Sequence, residues 1–137
     1  NADADAARVE YDQVFVGTGK AEVTPYASHY LAESGREKIL VRLRDELANL
    51  GLARHAATRE PEDHFAALFE VMRHLISGTE EAAAVQHQSG FFDRYLARSY
   101  GPFFDAIERN RGANLYKHIS RCAKTFMDIE SEALKMV

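Results

Sequence analysis

Between positions 65 and 76 the apolar residues fall at helical spacing, and nowhere does the chain show the sustained alternation and hairpin turns of a sheet. Phe65, Leu68, Phe69, Met72, Leu75 and Ile76 stand at offsets of 3, 4, 7, 10 and 11, one stripe along a helix. Glu60-Pro61 is read as its opening, because a proline at the first helical position gives up an N–H that has no partner there anyway. Gly78 is its expected stop, and Thr79 the expected cap of a following helix with Glu80 and Glu81 in its first turn.

The same period recurs elsewhere. Ile39, Leu40, Leu43, Leu47 and Leu50 share a face of a helix predicted over 35–50, with Gly51-Leu52 as its terminator. A helix over 113–136 carries Leu115, Ile119, Cys122, Phe126, Ile129, Ala133 and Met136 at steps of 4 and 3, a seam expected to pack against other helices. Further helices are predicted over 4–16, 80–98 and 102–111, with Gly101-Pro102 dividing the last two. The longest loops are predicted at 17–27 and 53–59. The expectation is an all-α, single-domain helical bundle of at least five helices over residues 1–137, with Leu43, Leu47, Phe65, Leu68, Phe69, Met72, Ile119 and Phe126 in its core.

Charge and cysteine content narrow the function. A net charge of −4 argues against a general nucleic-acid binder, which needs clustered Lys and Arg to neutralise phosphates. No apolar run approaches the roughly 20 residues of a membrane span. Cys122 is the one cysteine, so no disulfide joins two parts of the chain, and its place in the apolar seam reads as a buried thiol. The chain opens on Asn1 and not Met, so a processed or partial version of something longer is expected.

Motifs for catalysis are sparse. Gly17-Thr18-Gly19-Lys20 lacks the spacing of a phosphate loop, and a plain turn is the expectation. There is no HExxH and no GxSxG. Glu60, Asp63 and His64 form the densest polar cluster. Acids at a helix start are favoured by the exposed amides, so Glu60 and Asp63 have a capping role open to them as well as a binding role. Tyr26 and Tyr30, beside Pro25 and Ser28, either pack under the loop or line a peptide groove.

Three segments resemble the TorD/DmsD/NarJ family of redox-enzyme maturation chaperones. Tyr11-Asp12-Gln13-Val14-Phe15-Val16-Gly17, with Pro25-Tyr26-Ala27-Ser28-His29-Tyr30, is similar to a "Y-x-x-L-F-V-G … P-Y-x-S-x-Y" element. Glu60-Pro61-Glu62-Asp63-His64 is similar to an "E-P-D-H" motif. Phe91-Phe92-Asp93-Arg94-Tyr95-Leu96 with Phe103-Phe104 resembles "F-x-x-H-L-x-x-W … F", although Tyr95 stands where His is usual and Ser99 near the expected Trp. The resemblance implies a TorD-like bundle lacking leading helices, acting in the cytoplasm as a chaperone and not as an enzyme.

Its implied partners are a molybdopterin-containing oxidoreductase subunit and that subunit's twin-arginine signal peptide, with no cofactor, metal, nucleic acid or membrane span of its own. Tyr26, Ser28, Tyr30, Glu60, Asp63 and His64 are the implied peptide-binding residues. Two alternatives stand beside this reading: a helical metal-dependent hydrolase using Glu60, Asp63 and His64, and a structural module that only dimerises. If leading helices are absent, the exposed face they leave is expected to be covered by a homodimer or by helices swapped between copies, with a hinge in 53–59 or near Gly78.

Overall fold

The computed structural model describes residues 1–31, 35–52, 60–78 and 81–137, and of 81–84 the backbone alone. Among these residues there are seven α-helices and no strand, so the all-α expectation holds. The expected Thr79–Glu80 cap and the 53–59 loop with its hinge lie outside the described residues. The chain groups into two compact units, Asn1–Pro25 with Tyr100–Met136, and Tyr26–Ser99.

In the first unit α1 (Ala2–Tyr11) begins at Asn1, whose side chain accepts from the Asp3 N–H at 3.1 Å. It widens into a turn over Asp12–Val16 that Gly17 closes, its N–H donating to the Asp12 carbonyl at 2.7 Å. Gly17 has φ +67°, and a Cβ there would strike the Lys20 carbonyl, so the glycine serves a tight turn. Two further helices complete the unit, α6 (Tyr100–Arg109) and α7 (Leu115–Leu134). Pro102 lies inside the first turn of α6, where its missing N–H costs nothing, and so Gly101-Pro102 opens this helix instead of dividing two.

Glu10 of α1 supplies the N-terminal cap that α7 lacks. Its carboxylate accepts from the Leu115 and Tyr116 N–H groups at 3.1 and 2.9 Å. Phe15 fixes the same contact through its ring, edge-on to Tyr116 at 5.2 Å. Across α6 and α7, the Ser120 hydroxyl donates to the Phe104 carbonyl at 3.1 Å and the Tyr100 hydroxyl to Asp128 at 2.6 Å. Arg121 forks onto Glu108, and this pairing holds the Glu108 carboxyl below its ordinary range.

The α7 seam is where the structure corrects the sequence. The residues of α7 that turn inward are Ser120 and Met127. Leu115, Ile119, Phe126 and Ile129 are 44, 49, 58 and 62% exposed, and Cys122 is exposed as well. Ile119 and Phe126 therefore leave the expected core, and Cys122 is not a buried thiol. A helical period states which residues share a face but not which face a neighbour covers; the covered face here is the one whose Ser120 hydroxyl donates to the Phe104 carbonyl.

The second unit holds α2 (Ala27–Leu31), α3 (Arg36–Asn49), α4 (Phe65–Ile76) and α5 (Glu81–Phe91), the last running into a wide turn over Phe92–Leu96. Leu43 and Leu47 of α3, Phe65, Leu68, Val71, Met72 and Leu75 of α4, and Phe91, Phe92 and Leu96 form its core. The expected stripe is thus buried, save that Phe69 is half-buried and Ile76 is 56% exposed. Gly51, with φ +75°, ends α3 as predicted, and the Leu52 N–H reaches back to the Leu47 carbonyl at 2.7 Å.

One pair of truncations separates the two faces. Leu68, fully buried, should cost about 2–5 kcal/mol as Leu68→Ala. Phe126→Ala, at an exposed position, should change stability by less than about 1 kcal/mol, where a core phenylalanine would cost about 3–5. Urea denaturation of the two variants measures both.

Candidate functional site

Helix α4 starts later than the sequence suggests. Its cap is His64, whose Nδ1 accepts from the Ala66 N–H at 3.1 Å, so 60–63 precede the helix and do not form its first turn. With Nδ1 an acceptor, Nε2 carries the proton of the neutral ring, and it faces the Glu60 carboxylate at 4.0 Å. Glu60 itself is largely open, with 57% of its side chain exposed.

Asp63 caps a different helix from the one expected. Its carbonyl accepts from the Ala27 N–H at 3.0 Å, and its Oδ2 accepts from the Ser28 N–H at 2.9 Å, thirty-five positions away in the chain. These two bonds satisfy the leading amides of α2, which five residues of helix leave unpaired. Asp63 is 1% exposed, and its Oδ1 finds no hydrogen-bond partner among the described residues. An unmet buried acceptor is costly and rare.

The two segments also touch through Tyr26 and His64. They form an isolated antiparallel bridge, and their rings meet edge-on at 5.3 Å and 88°. Tyr30 lies against Phe65 at 6.1 Å and is half-buried, as is Tyr26. Ser28 is fully buried: its N–H is held by Asp63, and its hydroxyl accepts from Arg36 Nε at 3.1 Å.

The fold therefore gathers all six sequence-predicted residues in one place, but in two roles. Ser28 and Asp63 form a buried lock, while Glu60, Tyr26, Tyr30 and the edge of His64 form its surface. Sequence reasoning missed the flanking pairs. Glu62, buried beside Asp63, accepts from Arg44 at 3.0 Å, and Arg36 sits on Ser28. Glu62 lay within the motif itself, and a second acid at a buried position was the available signal.

Three acids, Glu60, Glu62 and Asp63, meet two arginines, Arg36 and Arg44, at this corner. Burial first, then the Glu60 and Asp63 carboxylates, raise the Tyr26 phenol above its ordinary pKa, with Arg36 opposing them. Both acids therefore act on the Tyr26 phenol, with burial the larger effect. A guanidinium placed there would stack on the ring and pair with a carboxylate. A metal ion is poorly served, because His64 spends Nδ1 on the cap and Asp63 spends Oδ2 on Ser28. Among the described residues no group of three His, Cys, Asp or Glu is placed to hold one.

Residues 1–105 match the family described as nitrate reductase delta subunit. Among curated proteins, Chaperone protein TorD of Aliivibrio fischeri is 29% identical over 136 residues, covering 91% of this chain and 62% of the relative. Chaperone protein TorD of Actinobacillus pleuropneumoniae serotype 3 is 34% identical over 79 residues, 58% of this chain and 39% of that protein. The serotype 7 protein matches identically. The chain spans less than two-thirds of the length of these relatives. No solved structure matches it.

The lock and the cap are separable by mutation. Asp63→Ala strands the buried Ser28 N–H and should destabilise the fold by about 1–3 kcal/mol. His64→Ala removes the α4 cap and the edge-on contact with Tyr26, and should cost about 1–2 kcal/mol. Thermal melts of the two proteins, compared with wild type, give the order.

Proposed function

Because this chain belongs to the nitrate reductase delta subunit family, we propose that it is a chaperone, not an enzyme, that holds a molybdopterin-containing oxidoreductase subunit in the cytoplasm during cofactor insertion. It binds that subunit's twin-arginine signal peptide at the Tyr26–Glu60–Asp63–His64 corner. Two kinds of support bear on this reading. The relatives are named chaperones. The observation that carries the site is the open Glu60 carboxylate beside His64, whose ring meets the half-buried Tyr26 ring edge-on, an acid next to an aromatic face that suits an arginine. No helix among the described residues is long and apolar enough to cross a membrane.

Glu60 is the accessible member, so it is the clean probe. Asp63→Ala would confound binding with the loss of the α2 anchor. In calorimetric titration of a twin-arginine peptide, Glu60→Gln should weaken binding roughly tenfold, with the melting temperature unchanged, as for the loss of one charge-assisted contact. Wild-type affinity should fall as salt rises, because the contact is at the surface. Equal affinity of Glu60→Gln and wild type would remove the site, and no binding to either would remove the peptide.

A second reading, pairing of two copies, is favoured by α7. Its exposed residues follow the alternating spacing of a coiled-coil seam, Leu115, Ile119, Cys122, Phe126 and Ile129 in turn. The seam of one copy meets that of its partner. Sedimentation velocity should show a concentration-dependent dimer that Phe126→Glu with Ile129→Glu converts to monomer. A wild-type protein that stays monomeric at high concentration contradicts the pairing.

A further inference from the structure

A cavity of about 280 Å³ in the second unit carries the opposite charge from the corner above. Its cationic wall comes from two ladders, Lys38 and Arg42 on α3, and Arg94 and Arg98 in and just after the wide turn of residues 92–96. Each pair is spaced i, i+4, which places its members on one side of a helical turn. Leu31, Ile39 and the buried Tyr95 supply the apolar floor.

Only one of the four cations is neutralised. Arg94 meets the Glu46 carboxylate at 2.6 Å. Gly90 leaves room for that guanidinium, since a Cβ there would stand 2.9 Å from its terminal nitrogen. Lys38, Arg42 and Arg98 make no ion pair or hydrogen bond among the described residues. No carboxylate of the described residues lines the cavity, although acids outnumber bases by 21 to 17 in the chain.

Scattered surface cations need no explanation, because water solvates them. These three differ in converging on one concavity with an apolar floor, where mutual repulsion is relieved by an incoming anion. We propose that this cavity docks an acidic segment of a partner polypeptide, with carboxylates pairing to Lys38, Arg42 and Arg98 and the methylene stems of the acidic side chains lying on Leu31 and Ile39. The volume is slightly below the roughly 300–1,000 Å³ usual for small-molecule pockets. Lys38 and Arg42, four residues apart on α3 and so about 6 Å apart along its axis, match successive acidic side chains on a peptide helix better than one compact anion, and Arg98 lines the same cavity. A twin-arginine segment is repelled here, and none of the corner residues lines this cavity.

The test uses a short fluorescent peptide with Glu at i and i+4, its Gln counterpart, and inorganic pyrophosphate as competitor. Fluorescence anisotropy with the full chain should show the Glu peptide binding at least about tenfold tighter than the Gln peptide, as charge-assisted bidentate pairing requires. Arg42→Ala with Arg98→Ala should remove that preference with an unchanged circular-dichroism melt, both residues being exposed. Arg111→Ala, an exposed arginine of the other unit, should leave it intact and so exclude a general charge effect. The proposal is overturned if the Glu and Gln peptides bind alike, or if the double variant binds as wild type does. It is also overturned if pyrophosphate displaces the Glu peptide at concentrations below that peptide's own dissociation constant, which would make the cavity a phosphate site.

Discussion

The Asp63 hydrogen bonds to Ala27 and Ser28 are the constraint on which the candidate peptide site depends. A helix of five residues cannot satisfy its own leading amides. It persists because a carboxylate and a carbonyl from the segment before α4 take those amides. The same two bonds bring Tyr26 onto His64 and Tyr30 onto Phe65. The aromatic face and the acidic face are thereby made by one anchor, and the anchor is itself too buried to be the contact that a peptide first meets.

That division explains what could and could not be read from the residues alone. The Glu60–His64 segment and the Tyr26–Tyr30 segment were recognisable as a pair through their resemblance to known motifs, and the fold does place them side by side. Their roles were less legible. A carboxylate just ahead of an apolar run looks like that run's own cap, and local reasoning assigns Asp63 accordingly. Its true partner is far away in sequence, and no local rule points there. His64 took the capping position instead, which a neutral imidazole can do with its free nitrogen.

The helices divide similarly. The stripe from Phe65 to Leu75 was legible because every member is apolar and the opposite face carries Glu70, Arg73 and His74, so only one face could go inward. On α7 two faces competed. The longer apolar seam is open to solvent, and the buried face is the one with Ser120 and Met127, where Ser120 donates to a carbonyl of α6 and Glu10 caps the start of the helix. Periodicity measures amphipathicity and is silent on which neighbour covers a face. The cations at Lys38, Arg42 and Arg98 were illegible for a related reason. Lys38 and Arg42 read as a solvated face of α3, and they meet Arg98 only once the segment through the turn of residues 92–96 lies beside that helix.

The central claim is that a twin-arginine peptide binds at the corner built on the Asp63 anchor. Hydrogen–deuterium exchange of the chain with and without such a peptide tests it most directly, because the amides of Ala27, Ser28 and Ala66 report on the corner itself. The account predicts that bound peptide slows exchange in the segments 26–31 and 60–66 and leaves α7 unchanged. Unaltered exchange in both segments at saturating peptide, or protection confined to other helices, would contradict it.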